Sequence, residues 1–178
     1  MKEEDKEHLF DLLVRYSLLI LTGVSSLFVF YFVFRPLTIY PIYFIFNFFF
    51  DIKLIGNVLL FAKYPSIQLI DSCIAGAAYY LLLILNLSTP RIKIEKRISM
   101  IFYSFLSLWI LNIIRIIILT LLFIFGFAFF EFTHKLFWYG LSLVFVIAIW
   151  FIQIKIYKVK EMPFISDLKY IYNKSSLK

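Results

Sequence analysis

Apolar positions in this chain do not alternate with polar ones; they run together in long blocks. Residues 12–34 are almost uninterrupted, with Arg15 near their start, and 67–88 form a second block that Pro90 closes. A third begins at Ile98 and a fourth covers 135–157. Each reaches the ~20 residues that a helix needs to cross a bilayer, so the pattern predicts an all-α, polytopic transmembrane helix bundle of about four spanning helices. Residues 37–50, bordered by Pro36 and containing Pro41, are too short to span comfortably and predict an outer interfacial or re-entrant segment. The block 98–130 is too long: as one helix it would extend ~50 Å, against a ~30 Å hydrocarbon core. It must tilt, bend or lie flat, and Gly126 offers a bend, whereas Ile116-Ile117-Ile118-Leu119 contains no turn residue. If 116–132 made a crossing of its own, everything after it would change sides.

Composition moves the reading from pattern to class. The chain is 63% hydrophobic and 21% aromatic, with a mean hydropathy of +0.92, outside the range in which 178 residues hide their apolar surface in water. The expectation is an integral membrane protein with one transmembrane domain over 1–160 and a cytoplasmic tail over 161–178. Residues 12–34 lack a small-residue cleavage site and read as a retained helix, with Arg15 snorkelling to the surface. Thirteen of the 18 Lys and Arg fall up to Arg15, between Arg91 and Arg97, or from Lys155 onward. Those three regions share the cytoplasmic side, which places both termini inside the cell after four crossings. The net charge of +7 is then a topology signal, and no nucleic-acid partner is expected. A single cysteine excludes an internal disulfide and a cysteine-cluster metal site. Two histidines without an HExxH pattern, and the absence of phosphate loops or a GxSxG elbow, leave no cofactor and no metal to expect.

In this orientation Cys73 lies near the outer end of the second span. Arg115 stands about 26 Å up the third, and His134 opens the fourth from the same face. Alone, each has a plain reading. A lone cysteine packs as a small hydrophobe, an arginine near a span end snorkels, and a histidine beside Lys135 and Trp138 sits at the interface. Context adds to each. Asp71 and Ser72 make the approach to Cys73 polar, and Gly76, Ala77 and Ala78 admit a close neighbour. Asn112 shares a helical face with Arg115, and Glu131, three residues before His134, is placed to orient the imidazole. In a non-enzymatic scaffold or transporter subunit, Arg115 would instead pair with Glu131 or Asp71.

The run Asp71-Ser72-Cys73-Ile74-Ala75-Gly76, the run Leu111-Asn112-Ile113-Ile114-Arg115-Ile116, and His134 at the start of a final span are together similar in order and spacing to the exosortase/archaeosortase family. The resemblance covers residues 67–150, and the short chain looks more like a small archaeal branch than the large bacterial enzymes. It implies a membrane cysteine protease-transpeptidase with its active site at the extracytoplasmic face. Its substrates would be secreted proteins ending in a short motif, a transmembrane helix and a basic cluster, cut through a Cys73 thioester that a membrane lipid amine, or water, resolves. Cys73, Arg115 and His134 would be catalytic, with Asn112, Asp71 and Glu131 in support. One departure is visible: many members carry a small polar residue directly after the cysteine, where this chain has Ile74.

Overall fold

A helix stops where its backbone turns left-handed or its ladder loses a donor, and both events shape this chain. The computed structural model describes residues 3–137, 140, 142–159 and 163–174. α1 (Glu3–Val24) and α2 (Phe28–Phe49) are separated by a short turn in which Ser26 and Leu27 take positive φ, 51° and 60°. The first apolar block is therefore two helices instead of one. Residues 37–50 are not a separate element either, because α2 runs through Pro36 and Pro41 to Phe49. The reason is local. Pro41 has no N–H, so the carbonyl of Leu37, four residues back, loses its partner within the helix, and the indole N–H of Trp109 donates to it at 2.8 Å. The proline gap is closed from a neighbouring helix.

Beyond α2 the chain forms what an all-α reading omits, a small antiparallel sheet in the order β1-β2-β3. β1 (Ile52–Ile55) and β2 (Val58–Phe61) are joined by Gly56-Asn57, with Gly56 at φ 62°, and β3 (Ile67–Gln68) pairs with β2. The chain turns into α3 (Asp71–Ile74), bends at Ala75, and continues as α4 (Gly76–Leu87). α5 (Ile94–Ile124) is unbroken over 31 residues, about 46 Å at helical rise. It stops before Gly126 (φ 62°), so residues 116–124 continue α5 and 116–132 is not one separate helix. The short α6 (Phe130–Leu136) carries His134, and α7 (Ser142–Ile156) packs on α4 and α5. Thus His134 lies on its own element ahead of the last long helix. α8 (Ile165–Lys174) ends the described chain. Trp138 and the boundary drawn at 160/161 lie outside the described residues.

Among the described residues, two helices, α2 and α5, are long and apolar enough to cross a membrane, fewer than the four expected. α4 and α7 are apolar but shorter, the former because the bend at Ala75 removes a turn from it. Large apolar side chains nonetheless line the outside: Val24, Phe28, Phe32 and Phe48 are each 65% exposed or more. Contiguous apolar surface of this kind marks a membrane or partner contact in folded proteins.

Inside are two stacked cores. One joins α2, α4, α5 and α7 through Phe30, Phe34, Tyr79, Leu108 and Val146, with the Phe34 and Tyr79 rings stacked at 3.6 Å between centroids. The other joins the far halves of α2 and α5 to the sheet through Ile42, Phe46, Leu59, Leu69 and Ile116. α3 lies on the boundary, with Ile74 in the first core and Cys73 against the second.

At the opposite end of α4, two buried arginines collect the carbonyls that a helix C-terminus leaves open. Arg97 donates to the carbonyls of Asn86, Leu87 and Thr89, and Arg15 to that of Leu87. Arg15 is 2% exposed and does not snorkel. Its guanidinium forks onto both oxygens of Asp167, at 3.0 and 3.1 Å, which docks α8 against α1. The tail therefore includes a packed helix.

Two outcomes follow, both read by chemical denaturation in mixed micelles. Asp167→Ala removes the bidentate partner of a buried guanidinium, leaving it only Asp11 at 2.9 Å, and should cost about 3 kcal/mol, whereas the double change Arg15→Leu/Asp167→Leu should cost less. Trp109→Phe should cost about 1–3 kcal/mol by orphaning the Leu37 carbonyl, and that cost should shrink in a Pro41→Ala background, where residue 41 supplies its own N–H.

Candidate active site

Ile70 ends the strand segment in extended conformation (φ −86°, ψ 171°), and its carbonyl accepts the N–H of Cys73 at 2.8 Å, starting α3. Five residues after Ile70, Ala75 takes φ 62°. A left-handed conformation costs an L-residue roughly 1–2 kcal/mol. What keeps the bend is packing on its far side: a Cβ on Gly76 would meet the Tyr31 ring at 2.7 Å, so α2 presses directly on the backbone after the bend.

The bend has a chemical result. With α3 ended at Ile74, the carbonyls of Ser72 and Cys73 have no partner further along the helix. α5 supplies both. Asn112 Nδ2 donates to the Cys73 carbonyl at 2.8 Å, and Arg115 Nη2 to the Ser72 carbonyl at 3.3 Å. The other Arg115 terminal nitrogen donates to Ser142 Oγ at 3.1 Å, and Ser142 in turn donates to the Phe137 carbonyl at 2.8 Å. Arg115 is 9% exposed. No carboxylate among the described residues pairs with it, and its guanidinium lies within electrostatic reach of the half-buried Cys73 thiol.

Cys73, Arg115 and His134 all line one cavity of 320 Å³, walled by residues 66–70 on one side and by Thr120, Phe123 and Phe130 on the other. The His134 ring lies parallel to that of Phe130, 5.6 Å between centroids. A second hollow of 310 Å³, also lined by Arg115, has Ser72, Ser142, Gly76 and Tyr31 in its walls. Three buried polar atoms around α3 have no hydrogen-bond partner: Ser72 Oγ, Asn112 Oδ1 and Arg115 Nε. Buried polar atoms are rarely left so, and a cluster of them marks where a ligand group or water is accommodated.

The supporting residues are distributed less simply. Asn112 reaches the main chain of Cys73, not its sulfur. Asp71 turns away from the cavity and pairs with Arg35 across an open groove of 780 Å³, both side chains being half exposed. Glu131 is exposed and lies 3.8 Å from Lys135. The pairing of Arg115 with Asp71 or Glu131 that a scaffold would need is therefore replaced by Arg115 on Ser72 and Ser142. Ile74 is fully buried in the core, so the side chain directly after Cys73 faces packing.

Sequence reasoning passed over Ser142, Arg35 and the strand segment 66–70. Ser142 had a faint signal, a hydroxyl at the start of the last apolar block, and Arg35 a clearer one, a cation at the end of the first. The strand segment had none, because Ile67-Gln68-Leu69 reads equally as the start of a helix. The chain matches no protein-family model, no curated protein and no solved structure.

Proposed function

We propose that the chain is a multi-pass membrane cysteine protease-transpeptidase that removes the C-terminal signal of secreted proteins and passes the new C terminus to an amine acceptor. The observation that carries the reading is the convergence of Cys73 from α3, Arg115 from α5 and His134 from α6 on one cavity. In the proposed topology α1 with α2, α3 with α4, α5, and α7 are the four crossings, and both termini are cytoplasmic. Arg97 and Arg115 lie eighteen residues apart on α5, about 27 Å, close to the thickness of a hydrocarbon core. The polar layer with Arg15, Arg97 and Asp167 is then cytoplasmic, and the one with Cys73 and Arg115 extracytoplasmic.

The chemistry follows from the groups. A thiol with an ordinary pKa near 8.5 is mostly protonated at neutral pH, so it needs a base and a neighbouring cation. His134 takes the proton as sulfur attacks the scissile carbonyl carbon; an S–C bond forms and the carbonyl oxygen becomes an oxyanion. Arg115 offsets that charge in a poorly solvated site, where a fixed cation counts for more than in water. The intermediate collapses to a thioester as the peptide C–N bond breaks, and His134 returns its proton to the departing amine. An incoming amine, here that of a membrane lipid, attacks the thioester carbonyl, gives a proton to His134 and expels the thiolate. Water in place of the amine would give simple hydrolysis.

Cys73→Ala should abolish cleavage of a co-expressed protein ending in a motif, an apolar helix and a basic cluster, by on the order of 1,000-fold or more. Full cleavage by that variant would refute the proposal. Arg115→Lys keeps the charge but loses the two-pronged geometry, and kcat/KM should fall by about 100-fold. Mass spectrometry of the new C terminus separates transfer from hydrolysis, an amide-linked lipid meaning the first and a free carboxylate the second. Membrane-impermeant maleimide should label Cys73 from outside intact cells; labelling only in inverted vesicles would overturn the topology.

A further inference from the structure

β3 is the terminal strand of its sheet, so one of its edges is unpaired by another strand. Which main-chain groups lie on that edge follows from the register. Val58 faces Gln68 and Leu59 faces Ile67, while the N–H of Leu69 donates to the Asn57 carbonyl at 2.9 Å and Asn57 Nδ2 donates back to the Leu69 carbonyl at 3.0 Å. Leu69 is thus in a bonded position. Antiparallel pairs alternate, so Ile67 is bonded to β2 as well, and the N–H and C=O of Gln68 point the other way.

That free edge belongs to residues 66–70, which form one wall of the cavity holding Cys73, Arg115 and His134. The strand then leads into the nucleophile itself, since the Ile70 carbonyl caps the turn bearing Cys73 at 2.8 Å. We infer that the edge of β3 is a peptide-binding strand, on which an extended polypeptide pairs its backbone with Gln68 and is led along residues 66–70 to the Cys73 sulfur. Backbone pairing gives affinity without demanding a particular side chain, as in other cases of strand addition. At ~3.3 Å per residue, the peptide unit two residues beyond the one opposite Gln68 comes level with the start of α3. A second observation points to a ligand at the same place: Arg115 is nine-tenths buried, lines this cavity, and its Nε has no partner. A carbonyl delivered along the edge would meet that cation.

The inference rests on the protease-transpeptidase reading for its occupant, but it is tested without any cleavage. Cys73 is the only cysteine in the chain, so alkylation of the full-length protein in detergent reports on one sulfur. The probe is tetra-alanine chloromethyl ketone, whose S–C bond forms as chloride leaves; iodoacetamide, which has no strand to pair, is the control. Gln68→Pro removes the outward N–H but no bond to β2. It should slow the peptide reagent about fivefold, the worth of one backbone hydrogen bond, and leave iodoacetamide within twofold. Equal peptide rates in Gln68→Pro and wild type would overturn the inference. If both reagents slow, the decision passes to the unaltered protein and tetra-alanine reagents N-methylated at one amide at a time. At least one of these should react about fivefold more slowly than the parent, and uniform rates would overturn the inference. Loss of cleavage activity with intact peptide preference would count against the proposed reaction alone.

Discussion

Main-chain carbonyls freed inside an apolar surrounding must find donors, and in this fold most of those donors stand on α5. Arg97 closes the end of α4, Trp109 answers the gap opened by Pro41, and Asn112 and Arg115 take the two carbonyls released by the bend at Ala75. Water cannot supply these bonds within hydrocarbon, where each unsatisfied group costs several kcal/mol. α5 therefore acts as a ruler. It holds the α3–α4 unit at both ends, and the height of Cys73 is set by the spacing of polar residues along one unbroken helix.

The same ruler explains why Cys73 sits where two cores meet. Below the bend, α4 is bound into the aromatic packing of Phe34, Tyr79 and Val146; above it, the chain belongs to the sheet and the upper halves of α2 and α5. A sulfur inside either core would be inert packing. At their boundary it is half-buried and opens onto a cavity, while the left-handed residue that makes the boundary also exposes the carbonyls that draw Arg115 in. Strain, polarity and access thus arise from a single backbone event at Ala75.

Much of this was legible in the chain, and the losses have definite causes. Hydropathy located the apolar blocks and the polar residues at their mouths, because burial of apolar surface governs every block alike. It did not show the break at residues 25–27 or the continuity through Pro41. The first is a positive-φ turn made by Ser26 and Leu27, with no glycine to announce it, and the second depends on a donor from Trp109, distant in sequence. Arg15 was read at the start of a span, yet it lies midway along α1 and buried, because its partner Asp167 is in the tail, where no hydropathy signal links the two. The sheet escaped because Ile52–Ile55 and Val58–Phe61 are only four residues each, too short to show a period, and the Gly56-Asn57 turn signal between them was passed over. At the site, the residue types were readable, while Ser142 and Arg35 became visible only through their bonds.

α6 differs from every other wall of the cavity: none of its residues is buried. Cys73 and Arg115 are held together through bonds from a long packed helix to the main chain of α3, whereas the imidazole rides on about two turns of helix, none of it buried, beyond Gly126. The three groups are consequently held with unequal tolerance. In the reaction proposed above, the imidazole is therefore the least firmly held of the three groups, while the thiol and its cation share one packed frame.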